Sequence, residues 1–259
     1  MHLDSERYID TSKGLDISIP LSNDEQNPLA WYVDKPVFEP VRAVGFIGLV
    51  TEGSSTNFRN ISFNPHGHGT HTECLGHITS EIHSVNNKLK DSFFTTEVIS
   101  ITPENIWNEK EQLFDEVISL SQMSTAIQSS HVEAIVLRTT PNELSKKHKN
   151  YSSTNPPYLD VACVELLNQK GVHHFLIDLP SVDRENDEGK LLFHHAFWQV
   201  PTNPQFHKTI TEFIYIDDSI QDGLYLLNLQ TAPFENDATP SRPVLFEILK
   251  KQCCQKRTN

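Results

Sequence analysis

The segment from His66 to His83 concentrates the side chains best suited to chemistry. Histidines stand at positions 66, 68, 71, 77 and 83, and Glu73 and Glu81 lie among them. Imidazole and carboxylate together are ligands for zinc, manganese or iron. Glycines at 67, 69 and 76 permit tight turns of the backbone. The segment therefore predicts a metal centre, with His83 interpreted as a surface or packing residue.

The spacing of the other residues indicates how they meet. His71 and Glu73 are two residues apart, so on an extended strand they share one face. A compact turn over residues 67–70 brings either His66 or His68 to the same point, and His77 approaches over a further turn. Such a cluster carries large desolvation and charge costs unless it binds a cation or stays exposed. The alternative interpretation is a polar loop with solvated histidines.

The second half of the chain supplies further candidate ligands. The segment Asp178–Asp183 follows an apolar strand, a place where α/β proteins put site residues. The pair His194–His195 and the acid Glu212, at the start of a predicted strand, are the others. Simpler structural roles remain open for each, namely a turn cap for Asp178 and a solvent-facing strand edge for Glu212.

These segments together resemble a known family. Residues 69–73, Gly-Thr-His-Thr-Glu, followed by Gly76 and His77 resemble the signature His-x-Gly-Thr-His-x-Asp-x-Pro-x-His of the kynurenine formamidase-like cyclase family of metal hydrolases. The stretch Ile177–Asp183 is similar to the family's Asp-Thr-Pro-Ser-Val-Asp. The segment His194–Trp198 is similar to its His-x-x-Leu-Leu, and Thr211–Phe213 to its Glu-bearing strand. The resemblance runs from about residue 47 to residue 249.

The resemblance implies a set of site residues. It places metal ligands at His71, Glu73, His194 and Glu212, with His77 as the proton donor and acceptor. It implies one or two divalent ions, zinc or manganese.

Three departures from the family pattern concern these residues. Glu73 replaces an aspartate. The first ligand position falls on Gly67, which favours His66 as the ligand and keeps His68 as the alternative. The segment Gln199–Thr211 is longer than the family's link between its histidine and glutamate. The family spacing favours His194 over His195, because Phe197 and Trp198 then match the two leucines, and His195 remains the alternative.

The resemblance also implies an activity. A divalent metal lowers the pKa of a bound water to about 7 and polarises a carbonyl. The predicted function is a metal-dependent amidohydrolase, arylformamidase-like, acting on the C–N bond of a formamide or cyclic amide. Two alternatives remain: a metal-dependent lactonase or dehydratase acting on a cyclic substrate, and a non-catalytic metal-binding member of the family.

The elements that position these residues are short apolar runs typical of strands. The predicted strands cover residues 15–21, 43–50, 97–101, 134–139, 174–179, 212–216, 224–229 and 244–249, with predicted helices over 110–129 and 161–169. Asp160 and Gly171 are the expected caps of the second helix. The pattern predicts a single α/β domain over residues 1–259. By resemblance its mixed, partly barrel-like sheet is flanked by helices, a cyclase-like swivelling β/α fold.

Composition restricts the partners. The net charge is −13, which argues against nucleic acid and anionic membranes because both require a basic face. No apolar run approaches the roughly 20 residues of a membrane span, so we expect a cytoplasmic protein with a small-molecule substrate. Four cysteines are too few and scattered for a disulfide framework, and Cys253–Cys254 lie in a polar tail over about residues 251–259. The family resemblance also implies that the protein forms a homodimer or a homotetramer.

Overall fold

The computed structural model describes residues 1–251, so the polar tail with Cys253 and Cys254 lies outside the described residues. The strands are Arg7–Tyr8 (β1), Leu15–Asp16 (β2), Val37–Pro40 (β3), Arg42–Ala43 (β4), Phe46–Ile47 (β5), Arg59–Ser62 (β6), His71–Glu73 (β7), Phe93–Ile101 (β8), Glu104–Asn108 (β9), Leu113–Ile118 (β10), Ala134–Thr139 (β11), Tyr158–Leu159 (β12), His174–Ile177 (β13), Thr209–Glu212 (β14), Gly223–Thr231 (β15), Ala238–Glu247 (β16) and Leu249–Lys250 (β17).

The helices are short. The α-helices are Val85–Lys88 (α1), Leu120–Ala126 (α2), Cys163–Gln169 (α3) and Leu192–Trp198 (α4), and the 3₁₀ turns are Val50–Glu52, Leu75–Ile78 and Leu144–Lys147. Within residues 1–251, none of these helices has the length and apolar character that crossing a bilayer needs.

The main sheet is a mixed barrel. Its strand order is β15-β8-β11-β13-β14-β7-β16-β2, and β15 also pairs with β16, which closes seven of the eight strands on themselves. Strands β8, β11, β13 and β14 run parallel to their neighbours within this group, whereas β7, β16 and β15 pair antiparallel. The prediction of a mixed, barrel-like sheet flanked by helices is confirmed.

Alternating side chains of the central strands fill two cores. On β11, Ile135 and Leu137 pack into a core shared with α2, α3 and α4, while Ala134 and Val136 face a core built from strands and loops without those helices. A strand covered on both faces reads as a continuous apolar run. This is why β11 has the bounds that the sequence predicts.

The helix α3 was also predicted closely. The expected N-terminal cap was wrong: Ala162 is the N-cap residue and makes no side-chain cap bond, and Asp160 instead accepts from the backbone N–H of Ala162 at 2.9 Å in the turn before the helix. Gly171 follows the helix with φ of +76°, and the N–H groups after the helix return to its last carbonyls. The left-handed conformation there favours glycine, which explains the C-terminal signal.

The predicted helix over residues 110–129 is wrong. Strand β10 occupies the first part and α2 the second, and the break between them is Ser119. The Ser119 side chain accepts from Gln122 N–H while the Gln122 side chain accepts from Ser119 N–H, a capping box that starts α2. The apolar side chains of β10 and α2 together have a spacing in the sequence that resembles one face of a single helix.

Three predicted strands differ most from the observed elements. The strand predicted over residues 43–50 is a tight turn at Gly45, which has φ of +74°, with β4 and β5 on either side. The strand predicted from residue 15 ends at Asp16, before Pro20. Glu212 ends β14 instead of beginning a strand, because the chain turns at Phe213 with φ of +56°.

Candidate metal centre

Strand β7 places two candidate ligands on one side of the sheet. His71 and Glu73 are fully buried, and between them Thr72 points the other way to the hydroxyl of Thr211 at 2.7 Å. Strand β14 runs antiparallel beside β7 and sets Glu212 directly opposite His71. The His71 Nε2 atom lies 3.4 Å from a Glu212 carboxylate oxygen. Cross-strand register thus joins residues that are far apart in sequence.

The turn before β7 brings His66, and not His68, to this cluster. His66 Nδ1 lies 3.1 Å from Glu73 Oε2. The His68 ring turns away, where its Nδ1 accepts from the backbone N–H of Asn64 at 2.8 Å and its Nε2 donates to the carbonyl of Asp34 at 2.7 Å. Both nitrogens of His68 are therefore used in fixing the loop.

The packing around Gly67 explains why His66, and not His68, faces the cluster. A Cβ atom at position 67 would lie 2.7 Å from the Val33 side chain and 3.1 Å from the Ala30 carbonyl oxygen. The Ala30 N–H also donates to the Gly67 carbonyl at 3.0 Å. The backbone at 67 is packed against a neighbouring loop that leaves no room for a side chain. The preceding residue supplies the imidazole instead.

Helix α4 presents His194 to the cluster. The Asp183 carboxylate accepts hydrogen bonds from the backbone N–H groups of Phe193 and His194 and lies 2.6 Å from His194 Nδ1. This leaves His194 Nε2 facing Glu73 Oε1 at 2.9 Å. A carboxylate that orients a histidine in this way is common behind metal ligands. His195 points elsewhere, with Nδ1 3.3 Å from the Val200 carbonyl.

Two contacts fix the end of β14. The backbone N–H of Val182 donates to Glu212 Oε1 at 3.1 Å, and Glu212 is almost fully buried. The Thr70 hydroxyl donates to the carbonyl of Phe213 and accepts from the backbone N–H of Ile19 at 2.7 Å. Thr70, next to His71, therefore ties the two strands that carry the candidate ligands.

His77 lies on the cavity side of the cluster. Its ring stacks on that of His66 with centroids 4.2 Å apart, and its Nε2 is 3.9 Å from Glu73 Oε2. The side chain is 29% exposed, whereas His71 and Glu73 are closed off from solvent. This position suits a group that meets a substrate.

Sequence reasoning missed Asp237. Its Oδ2 lies 3.0 Å from His66 Nε2 and 3.4 Å from His77 Nδ1. It immediately precedes β16, whose first residue Ala238 pairs with Glu73. Proline is uncommon inside strands, so the prolines at positions 240 and 243 argued against a strand in this part of the chain. The chain therefore reaches the site at a point that its local pattern did not indicate.

Carboxylates dominate the electrostatics of the cluster. Burial lowers the pKa of His66, but Asp237 and Glu73 outweigh it and raise this pKa to about 10. Burial likewise lowers the pKa of His194, and the carboxylates of Glu73 and Asp183 outweigh it and raise that pKa to about 10. Burial raises the pKa of Glu73, yet His77 and His194 hold it well below its usual value. The fold therefore holds buried negative charge that requires cationic partners.

Two buried atoms identify where a metal ion would fit. Among residues 1–251, His71 Nε2 and Glu73 Oε2 are buried and receive no hydrogen bond. Buried polar atoms are normally paired, so such exceptions require an explanation. His66, His71 and Glu73 offer ligand atoms within 4.8 Å of one another, and so do Glu73, His77 and His194. The nitrogen and oxygen donor set suits zinc or manganese.

A cavity of about 440 Å³ opens onto this cluster. Its lining includes His66, His77, His194 and Glu212, together with Trp31 and Arg184. A second cavity of about 430 Å³, lined by residues such as Ile19, Phe63 and Ser241, contains none of these four cluster side chains. The first cavity is therefore the one through which a small molecule would reach the cluster.

The barrel and its histidine–carboxylate cluster define a class of α/β protein with a candidate metal centre. Residues 15–184 match the family described as "Putative cyclase", and the chain belongs to that family. The matched range ends before His194, Glu212 and Asp237, which the fold adds to the site. No curated protein matches the chain.

Solved structures share the fold. A "potential metal-dependent hydrolase with cyclase activity" is 15% identical, with a TM-score of 0.63, over 90% of this chain and 97% of that one. A "predicted metal-dependent hydrolase" from Bacillus stearothermophilus is 13% identical, with a TM-score of 0.61, over 90% and 98%. Isatin hydrolase A from Labrenzia aggregata is 13% identical, with a TM-score of 0.64, over 90% and 93%. At these identities the likeness establishes the fold.

Proposed function

We propose that this protein is a metal-dependent hydrolase that cleaves an amide-type C–N bond in a small molecule. The observation that carries the proposal is the convergence of residues from four parts of the chain on one point beside a cavity. His66, His71 and Glu73 come from the turn and β7, His194 from α4 and Glu212 from β14. His71 Nε2 and Glu73 Oε2, which are buried and receive no hydrogen bond, support a cation there.

Two groups of side chains surround the two proposed metal positions. His66, His71 and Glu73 would hold one ion, and Glu73, His194 and Glu212 surround a second position. Glu73 faces both, since Oε2 points to His66 and Oε1 to His194. A divalent ion bound there would supply Lewis-acid polarisation of a carbonyl and activation of water. We propose zinc or manganese, with one or two ions.

His77 is the proposed acid and base. Its Nε2 is on the Glu73 side of the ring, and its partial exposure lets it meet a bound substrate. An imidazole transfers protons near neutral pH, so it can remove a proton from water and deliver it to a leaving nitrogen. The Asp183 carboxylate holds the His194 ring in one orientation.

A formamide or a cyclic amide is the proposed substrate. The cavity volume of about 440 Å³ suits a molecule of one or two rings, and Trp31 offers an aromatic wall. Structural relatives include isatin hydrolases, one of them bound to the product analogue thioisatinate. An arylformamide or a cyclic aromatic amide is therefore the first choice for assay.

The test combines metal analysis with turnover. The wild type and the variants His71→Ala, His77→Ala and His195→Ala are purified without chelator and assayed on an arylformamide, isatin and an aryl lactone. We expect His71→Ala to lose both metal and turnover, and His77→Ala to keep metal and lose turnover. His195→Ala is the matched control and should resemble the wild type.

Several outcomes would contradict the proposal. A well-folded wild type that binds no divalent metal would refute it. Loss of metal in His77→Ala would make His77 a ligand instead of the acid and base. Turnover of the lactone alone would reassign the substrate class, and metal binding without any turnover would favour a non-catalytic protein.

A further inference from the structure

Asp237 contacts two functional histidines at once. Its Oδ2 atom is 3.0 Å from His66 Nε2 and 3.4 Å from His77 Nδ1. In both cases the contact uses the ring nitrogen on the side away from Glu73. On His66 the other nitrogen, Nδ1, lies 3.1 Å from Glu73 Oε2, and on His77 the other nitrogen, Nε2, lies 3.9 Å from the same atom.

A carboxylate accepts hydrogen bonds and does not donate them. When a metal ion takes the place of the proton on Nδ1 of His66, Asp237 would hold the remaining proton on Nε2, with Nδ1 aimed at the centre formed with His71 and Glu73. On His77, where Oδ2 lies at ion-pair distance from Nδ1, the same carboxylate favours a proton on Nδ1, which leaves the lone pair of Nε2 free. One carboxylate thus prepares one histidine to bind a metal and another to accept a proton.

Asp237 is held firmly in this position. Its own carbonyl accepts from the backbone N–H of Cys74 at 3.0 Å, directly after Glu73. Gly76 lets this loop approach closely, because a Cβ there would lie 3.2 Å from the Asp237 Cβ and 2.3 Å from the His83 carbonyl oxygen. These backbone contacts fix the loop independently of the histidines.

The neighbouring acid Glu235 anchors the same loop from its other side. Its carboxylate accepts from the Ser84 hydroxyl at 2.7 Å and from the Asn87 amide at 2.6 Å, at the start of α1. Glu235 makes no contact with the metal-centre histidines among the described residues. It therefore separates the effect of loop anchoring from the effect of the carboxylate at 237.

We propose that Asp237 is a positioning residue that orients His66 as an Nδ1 metal ligand and His77 as an Nε2 proton acceptor. This inference rests on the proposed function. The reason that His66 needs such support lies in Gly67, which has no room for a side chain and forces the ligand one residue earlier. Partners behind metal ligands typically contribute about 10- to 100-fold to metal affinity.

The test uses Co²⁺ as the probe, measured by visible absorption and by competition with a chelator. The variants are Asp237→Ala, Asp237→Asn and the matched control Glu235→Gln. We expect Asp237→Ala to lower Co²⁺ affinity by about 10- to 100-fold and Asp237→Asn to fall between it and the wild type, because the amide oxygen still accepts one hydrogen bond. Glu235→Gln should stay within about twofold of the wild type.

A second measurement reports the tautomers directly. Long-range proton–nitrogen spectra of histidine-labelled, Zn²⁺-loaded protein should show His66, assigned through His66→Gln, in one form that is protonated on Nε2. In Asp237→Ala a second form, protonated on Nδ1, should appear, because the ring is then free to turn and bind metal through Nε2. Wild-type affinity in Asp237→Ala would overturn the inference alone. Complete loss of Co²⁺ in both Asp237 variants would make Asp237 a ligand and also overturn it. A wild type that binds no Co²⁺ would instead refute the proposed function.

Discussion

Residues 1–251 contain two clusters of histidines, and of these two the one around His71 has the chemistry of a candidate metal centre. The distal histidine cluster consists of His173, His174 and His207, where the rings of His173 and His207 are 4.5 Å apart. It lies beside Thr209 at the beginning of β14, whereas the metal centre includes Glu212 at the end of the same strand. The same residue type is thus gathered at both ends of one strand.

The surroundings of the two clusters differ. His174 is buried, stacks near Phe94 and lies 2.9 Å from the Thr209 hydroxyl, and burial lowers its pKa to about 3. Burial also lowers the pKa of His173 and of His207. In the metal centre, carboxylates outweigh burial and raise the pKa values of His66 and His194. Buried carboxylates beside the imidazoles, one of them with an oxygen that receives no hydrogen bond, therefore distinguish a candidate metal site.

The largest expected effect comes from removing one carboxylate charge at the metal centre. We expect Glu73→Gln to lower Zn²⁺ or Mn²⁺ affinity by more than about 100-fold, beyond the range of residues that only support a ligand. Glu73 contacts histidines through both of its oxygens, so the substitution affects both the ligand group with His66 and His71 and the group with His77 and His194. Metal content after dialysis and calorimetric titration measure the change.

The matched control removes imidazoles from the distal cluster. The double variant His173→Gln/His207→Gln should bind the same metals with unchanged affinity and stoichiometry. If this variant loses metal while Glu73→Gln retains it, the two clusters have been assigned the wrong way round.

A smaller effect concerns acid stability. His174 has a pKa of about 3 in the fold and 6.5 when unfolded, so below pH 6.5 the unfolded chain binds the proton preferentially. The destabilisation is absent above pH 6.5 and grows as the pH falls towards 3, by about 1.4 kcal/mol per pH unit. Between pH 7.5 and 5.0 His174→Gln, which does not titrate, should lose about 2 kcal/mol less unfolding free energy than the wild type.

Urea unfolding of metal-free protein at the two pH values measures this difference. His195→Gln, a half-buried histidine outside both clusters, is the control and should keep the wild-type pH dependence. An equal loss of stability in His174→Gln and the wild type would show that His174 is not the group that burial keeps neutral.

The sequence predicted the parts of the site that depend on local spacing. His71 and Glu73 share a face because they alternate on one strand, and this requires no knowledge of the rest of the fold. The choice of His66 over His68 depends on Val33 and Ala30, which pack against Gly67 from a distant loop. No local pattern contains that information.

Other features were hidden by competing signals. Pro240 and Pro243 argued against a strand in the first half of β16, so neither that half nor the adjacent Asp237 was predicted. The capping box at Ser119 and Gln122 was readable in the sequence and would have separated β10 from α2. The apolar run of β11, by contrast, was predicted with its observed bounds because burial on both faces leaves few alternatives.

We propose above that His71 and Glu73 share a divalent ion with ligands from distant parts of the chain. Anomalous diffraction at the zinc and manganese edges, on crystals of protein purified without chelator, tests it most directly. We expect a peak about 2.0–2.2 Å from His71 Nε2 and from a Glu73 carboxylate oxygen. A well-ordered crystal with no peak there, or with a peak only at the distal histidine cluster, would contradict it.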